Sequence, residues 1–192
     1  MADLADRELL RAYRETKAQD ALGQIISRHT PRVYATCLRI LRDHHAAEDA
    51  CQATFVIFCR RAEGLSEDGS LRAWLYETAR LTATVHRRDQ AIRRKHEAQA
   101  MRDATPVVPI PADGAEALSA ELDQALGQLS PKLRQAVVLR HLEGLSDEEA
   151  AAELACPPGT LSARASRGLE KLRRYFGKRG QVVSVAALVA VM

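Results

Sequence analysis

The chain has 192 residues, enough for one ordinary domain or two small ones. Charged residues make up 28% and apolar residues 46%, a globular composition that excludes a disordered chain; aromatics are only 4%, which favours helices packed through aliphatic side chains. The net charge of +3 names no partner by itself, so its distribution along the chain matters more. The cysteines are Cys37, Cys51, Cys59 and Cys156. None forms a C-x-x-C pair, so reduced thiols are expected. The start, MADLADRELLRAY, holds early acids and no apolar run, so no secretory signal is expected and a cytoplasmic location is.

The first elements read as helices over 4–16 and 18–29, with Leu9, Tyr13, Leu22, Ile25, Ile26 and His29 at helical spacing. Thr30-Pro31 has the form of an N-cap followed by proline at the first helical position, so a new helix is expected there, with Val33, Tyr34, Cys37, Leu38 and Leu41 on one side. The next helix is the most regular: Ala47, Ala50, Cys51, Thr54, Phe55, Phe58 and Ala62 make one apolar face. Its other side carries Glu48, Asp49, Gln52 and Val56. Residues 63–70 compose a loop.

A long helix follows from about Leu71 to Glu97. Its expected core stripe is Leu71, Trp74, Leu75, Thr78, Thr82 and Val85. Opposite lie Arg72, Tyr76, Arg80, Ala83 and Arg87, with Arg88, Arg93, Arg94 and Lys95 beyond. Arginine interleaved with tyrosine on one face suits a nucleic-acid backbone with a base stacked on the ring. Residues 98–115 hold Pro106, Pro109 and Pro111, which rule out a helix interior and mark a linker. Helical patterning resumes near Glu116. The expected architecture is all-α: two small helical domains, 1–97 and 116–178, joined by a tether at 98–115 and followed by a tail at 179–192.

In the second domain, Ser146 to Glu149 has the form of a capping box opening a short helix, Asp147 to Leu154. Cys156-Pro157-Pro158-Gly159-Thr160 must break it. A longer helix then runs to about Phe176, which completes a helix-turn-helix outline. That second helix is basic, with Arg164, Arg167, Lys171, Arg173, Arg174 and Lys178 against Glu170. Its first turns present Thr160, Ser162 and Ala163. Such a helix enters the major groove with its first residues on base edges and its basic residues on phosphates.

From Leu122 to Arg174 the wording resembles the fourth conserved region of bacterial sigma factors, with Glu143, Gly144, Ser146, Glu149, Gly159, Thr160, Arg164, Arg167 and Gly168 at matching positions. Ser162 and Ala163 depart from the residues common there, on the presumed groove face. VYATCLRILRDHHAAEDACQATFVIF is similar to the second conserved region, through Arg39, Asp43, Ala47, Glu48, Asp49, Gln52, Thr54 and Phe55. RAWLYETAR resembles the start of its strand-holding helix, whereas Leu81 and Val85 stand where many members have Asn and Asp.

The chain is thus similar to the extracytoplasmic-function branch of the sigma-70 family. The resemblance implies an initiation subunit that is not an enzyme and carries no cofactor. Its implied partners are core RNA polymerase (the β′ clamp helices and the β flap), promoter DNA and an anti-sigma factor. It assigns Glu48, Asp49, Gln52 and Val56 to polymerase. Arg72, Tyr76, Arg80, Arg87 and Arg88 fall to the melted −10 strand. Thr160, Ser162, Ala163, Arg164, Arg167 and Lys171 fall to the −35 duplex.

The alternative is a helix-turn-helix regulator acting without polymerase, which explains the second domain but not the A-E-D-x-x-Q helix. Adjacent His44 and His45 do not face one ligand site, and no metal is expected. The tail from Val182 to Met192 carries no charge. As a helix its eleven residues span about 16 Å, too short for a bilayer core of about 30 Å; packing against the protein is expected, the alternative being that the segment opens a longer membrane-anchoring or partner-binding extension.

Overall fold

The computed structural model describes residues 5–65, 69–100 and 114–179, with side chains described for 5–65, 69–93 and 121–179. Among them are eight α-helices and no strand: α1 (Asp6–Thr16), α2 (Gln19–Leu41), α3 (His44–Arg61), α4 (Leu71–Ala100), α5 (Gly114–Gly127), α6 (Pro131–Val137), α7 (Asp147–Glu153) and α8 (Pro158–Gly177). A 3₁₀ turn, Ala62–Gly64, follows α3, and a π-helical turn, Val138–Leu142, extends α6. Most of the proline-rich segment and the apolar tail lie outside the described residues.

Helices α1 to α4 share one core. Leu9, Ile25, Cys37, Phe58 and Leu75 are at its centre, with Ala47, Ala79 and Ala83 where helices come close. All seven residues of the stripe expected on α3 are buried. Asp43 caps α3 by accepting from the Ala46 amide at 2.8 Å, and Ser70 caps α4 by accepting from the Ala73 amide at 3.2 Å.

Two expectations are corrected. The break at Thr30-Pro31 does not occur: α2 runs unbroken through Pro31, and Thr30 donates its hydroxyl to the Ile26 carbonyl at 2.7 Å. Ile25, His29, Val33, Cys37 and Ile40 form one continuous buried stripe across the proline. The bond lost to proline would have ended on Ser27, which is exposed, so water can meet its carbonyl. Packing of the stripe outweighs the local break signal.

The second correction concerns α4. Val85 is 58% exposed, while Ala83, expected on the opposite side, is fully buried. The stripe on the first core steps by four: Leu71, Leu75, Ala79, Ala83. Trp74 is half-buried and packs near Phe58, with ring centroids 6.2 Å apart.

Helices α5 to α8 build the second core around Leu122, Leu126, Val137, Leu172 and Phe176, continued by Ala136, Leu139, Ala150, Leu161 and Ala165. The capping box forms: Ser146 Oγ accepts from the Glu149 amide at 3.2 Å, and Glu149 accepts from the Ser146 amide at 2.9 Å. Gly144 before it has φ +68°, which glycine adopts without the Cβ penalty. Gly168 lets α8 lie close on α6; a Cβ there would sit 2.4 Å from Val137 Cγ2.

The two halves are packed together, and α4 is the element they share. Ala73 and Tyr76, on α4, are buried in the cores of the second half, whereas Leu71, Leu75, Ala79 and Ala83 belong to the first. Helix α4 therefore has two buried sides in its first three turns.

Candidate functional site

The residues expected to make contacts fall on three faces. On α3, the Asp43 cap sets the helix start and the alanine-phenylalanine stripe turns one side inward. Glu48, Asp49, Gln52 and Val56 are consequently all exposed. Val56 is 49% exposed and Ile57 beside it 37%, so the face pairs acidic and amide groups with an apolar edge. Such a mixture fits a protein partner better than a phosphate backbone, which two carboxylates would repel.

The second face is the outer side of α8. Leu161, Ala165, Leu169, Leu172 and Phe176 point inward, which leaves Ala163, Arg167 and Lys171 exposed and Thr160, Ser162 and Arg164 half-exposed. Arg164, Arg167, Lys171 and Arg174 line an open concavity of about 680 Å³ together with Ser130 and Lys132 at the start of α6. Lys132 was not among the expected residues. Its signal was the Ser130-Pro131 helix start, which places the next side chain outside the core. Glu170 neutralises part of the row, with Arg173 at 3.1 Å and Arg174 at 3.2 Å, so Arg164, Arg167 and Lys171 carry most of the unpaired charge. Ser162 is held from behind: Arg140 donates to its hydroxyl at 3.4 Å and also pairs with Asp147.

The third face, on α4, is divided. Arg87 and Arg88 are exposed. Arg72, Tyr76 and Arg80 are covered by the second half of the chain. Tyr76 is 5% exposed and donates its hydroxyl to Asp123 of α5 at 3.1 Å. Burial and the Asp123 carboxylate both push the Tyr76 phenol well above its ordinary pKa, so it stays a proton donor. Arg80 pairs with Glu77 at 2.8 Å, and Arg134 of α6 reaches the same Glu77 at 3.1 Å. Arg72 lies 3.9 Å from Asp6 and 3.8 Å from Glu153.

Asp123 also accepts two bonds from Arg39 of α2, at 2.7 and 2.8 Å. Further cross-links join α1 and α2 to the second half: Arg7 donates to the Ala152 carbonyl at 3.3 Å, and Arg32 lies 3.0 Å from Glu143. Burial pushes the Glu143 carboxyl above its ordinary pKa, against the pull of Arg32. Among the described residues, no group of three or more His, Cys, Asp or Glu is placed to hold a metal ion.

The profile of sigma-70 region 2 matches residues 25–92, and that of sigma-70 region 4 matches residues 119–172. RNA polymerase sigma factor CarQ of Myxococcus xanthus is 40% identical over 165 residues, covering 84% of this chain and 92% of that protein. The extracytoplasmic-function sigma factor SigE of Mycolicibacterium smegmatis is 32% identical over 177 residues, covering 88% of this chain and 67% of that protein. Among solved structures, CnrH in complex with the cytosolic domain of CnrY aligns over 91% of this chain and 99% of that one, at 24% identity and a TM-score of 0.49.

Proposed function

The chain belongs to the sigma-70 family of RNA polymerase sigma factors and directs promoter-specific transcription initiation; we propose that it does so, in the cytoplasm and as a binding subunit without catalysis, through the three faces described above. Residues 1–97 are the part that engages core polymerase and the −10 strand, and residues 116–178 the part that engages the −35 duplex. The exposed face of α3 supports the first assignment. Asp49 and Gln52 are one helical turn apart, with Val56 one turn further, a spacing suited to the side of a partner helix such as the β′ clamp helices.

On α8, Thr160, Ser162, Ala163 and Arg164 supply base-edge contacts, while Arg167, Lys171 and Lys132 meet phosphates. Helix dimensions favour this division, because only the first turns of a recognition helix reach the groove floor. Arg87 and Arg88 are open to DNA as the protein stands. Arg72, Tyr76 and Arg80 become available only when the second half moves off α4. A partner that separates the halves, core polymerase first among them, would expose that face.

The observation that carries this reading is an exposed acidic and apolar face on α3 together with a basic outer side of α8 in one chain. A regulator acting without polymerase needs only the second. Run-off transcription with purified core polymerase on a library of promoters tests the distinction. Specific transcripts are expected only when the chain is added. Sequence-specific DNA binding with no stimulation of core polymerase would favour the regulator instead.

A further inference from the structure

Asp123 is a buried carboxylate whose partners all come from the other half of the chain. Arg39 presents its Nε and Nη2 to the two oxygens at 2.7 and 2.8 Å, and the Tyr76 hydroxyl adds a third bond at 3.1 Å. The side chains of Arg39 and Asp123 are 16% and 5% exposed. A planar fork plus one hydroxyl matches a carboxylate, and it matches two oxygens of a phosphodiester equally well.

The surroundings favour the phosphate. Tyr76, Arg80 and Arg87 follow one another along α4 at helical spacing, over a rise of about 16 Å along the helix axis. The Tyr76 ring, once uncovered, offers a stacking surface beside the fork, the combination that single-stranded nucleic acid requires. Arg80 keeps its own carboxylate, Glu77, from the same helix, whereas Arg39 and Tyr76 lose theirs when α5 leaves. Undocking therefore frees one guanidinium fork and one hydroxyl donor on the face assigned to the melted strand, where a phosphate can take the place of Asp123.

We propose that Arg39 and Tyr76 form a phosphate site for the single-stranded promoter DNA, and that Asp123 fills this site from within while the two halves are docked. Asp123 thereby acts as an internal substitute for a backbone phosphate, and strand binding competes directly with docking. The inference adds Arg39, on α2, to the DNA-contacting residues. It rests on the function proposed above.

The test uses the full-length chain and a fluorescein-labelled single-stranded DNA oligonucleotide followed by anisotropy, with small-angle scattering to report domain separation. Asp123→Asn keeps the shape of the side chain and removes its charge. It is expected to expand the molecule and to tighten oligonucleotide binding about tenfold. In the Asp123→Asn background, Arg39→Gln is expected to abolish that gain and to lower the salt slope by about 0.7, the value of one phosphate on a single strand. Asp123→Ala, which removes the carboxylate altogether, is expected to give the same expansion and the same gain in oligonucleotide binding, and it serves if the Asp123→Asn variant does not fold.

Unchanged scattering for Asp123→Asn would overturn the competition. Expansion without a gain in DNA affinity would overturn the phosphate site and point to a protein carboxylate as the ligand of Arg39. Run-off transcription on the same preparations separates the two readings. A variant that still directs specific transcripts while lacking the Arg39 effect defeats this inference alone, whereas a native chain that stimulates no transcript defeats the function itself.

Discussion

The Arg39 guanidinium and the Asp123 carboxylate, 84 residues apart in the chain, are joined by two parallel hydrogen bonds of 2.7 and 2.8 Å across the interface between the two halves of the protein. The pair raises the Arg39 pKa despite the opposing effect of burial. Lysine cannot reproduce the fork. Arg39→Lys is expected to cost about 1–3 kcal/mol of thermal or denaturant stability. A double-mutant cycle of Arg39→Gln with Asp123→Asn should return a coupling energy of the same order. Additive effects in the cycle would mean that the pair contributes nothing to docking.

The α3 face predicts a separation of folding from binding. Asp49 and Gln52 are exposed, and no hydrogen bond from either is found among the described side chains. Asp49→Ala combined with Gln52→Ala should leave the melting temperature nearly unchanged, within the roughly 0.5 kcal/mol typical of surface substitutions. The same variant should lose pull-down of the polymerase β′ subunit. Retained pull-down would move the docking face elsewhere.

On α8, Arg164 and Arg167 are expected to separate base reading from phosphate contact. Arg164→Ala should cost roughly 1–3 kcal/mol on the preferred −35 duplex and relax selectivity at one position. Arg167→Ala should weaken all sequences alike and reduce the salt slope by about 0.9 per lost phosphate on duplex DNA. Binding curves over a salt series on matched and mismatched duplexes decide between them.

Gly168 makes a prediction about packing. A methyl group there meets Val137 Cγ2 at 2.4 Å and the Leu133 carbonyl at 3.4 Å, so the Val137 side chain must shift. Gly168→Ala gains helix propensity, about 1 kcal/mol in an open helix, and loses more to overpacking. A net destabilisation of about 1–2 kcal/mol is expected in urea unfolding. Adding Val137→Ala should recover part of it.

The buried cluster at α1 predicts an acid transition. Burial would raise the Asp6 carboxyl, but His29 at 2.8 Å and Arg28 at 2.6 Å outweigh it and hold Asp6 below its ordinary pKa. A depressed carboxylate stabilises the fold fully above its unfolded pKa of about 3.9, and that stability is lost as pH falls through the lower folded value. Asp6→Asn should be less stable than the native chain at neutral pH, and the gap should close below about pH 4. A gap independent of pH would show that the carboxylate charge is not what the cluster uses.

Much of this protein is legible in its sequence. The α3 stripe, the Ser146 capping box and the basic outer side of α8 are local patterns, set by helical period and by side chains that satisfy nearby amides. Gly144 and Gly168 were legible as matching positions only. Their reasons, a left-handed backbone and a 2.4 Å approach to Val137, needed the neighbours in place. Pro31 misled because its break is a local preference, and the buried stripe that overrides it is not local.

The α4 face is where sequence and tertiary structure part most clearly. Periodicity separates a helix side rich in arginine and tyrosine from an aliphatic one, and α4 does carry Arg72, Tyr76 and Arg80 away from its first core. Periodicity cannot say what anion those side chains meet. A phosphate from DNA and a carboxylate from elsewhere in the chain make the same demand on an arginine fork and a phenol. Only the packing of α5 against α4, which places Asp123 within 3.1 Å of a tyrosine 47 positions earlier, decided that in this form the anion is the protein's own.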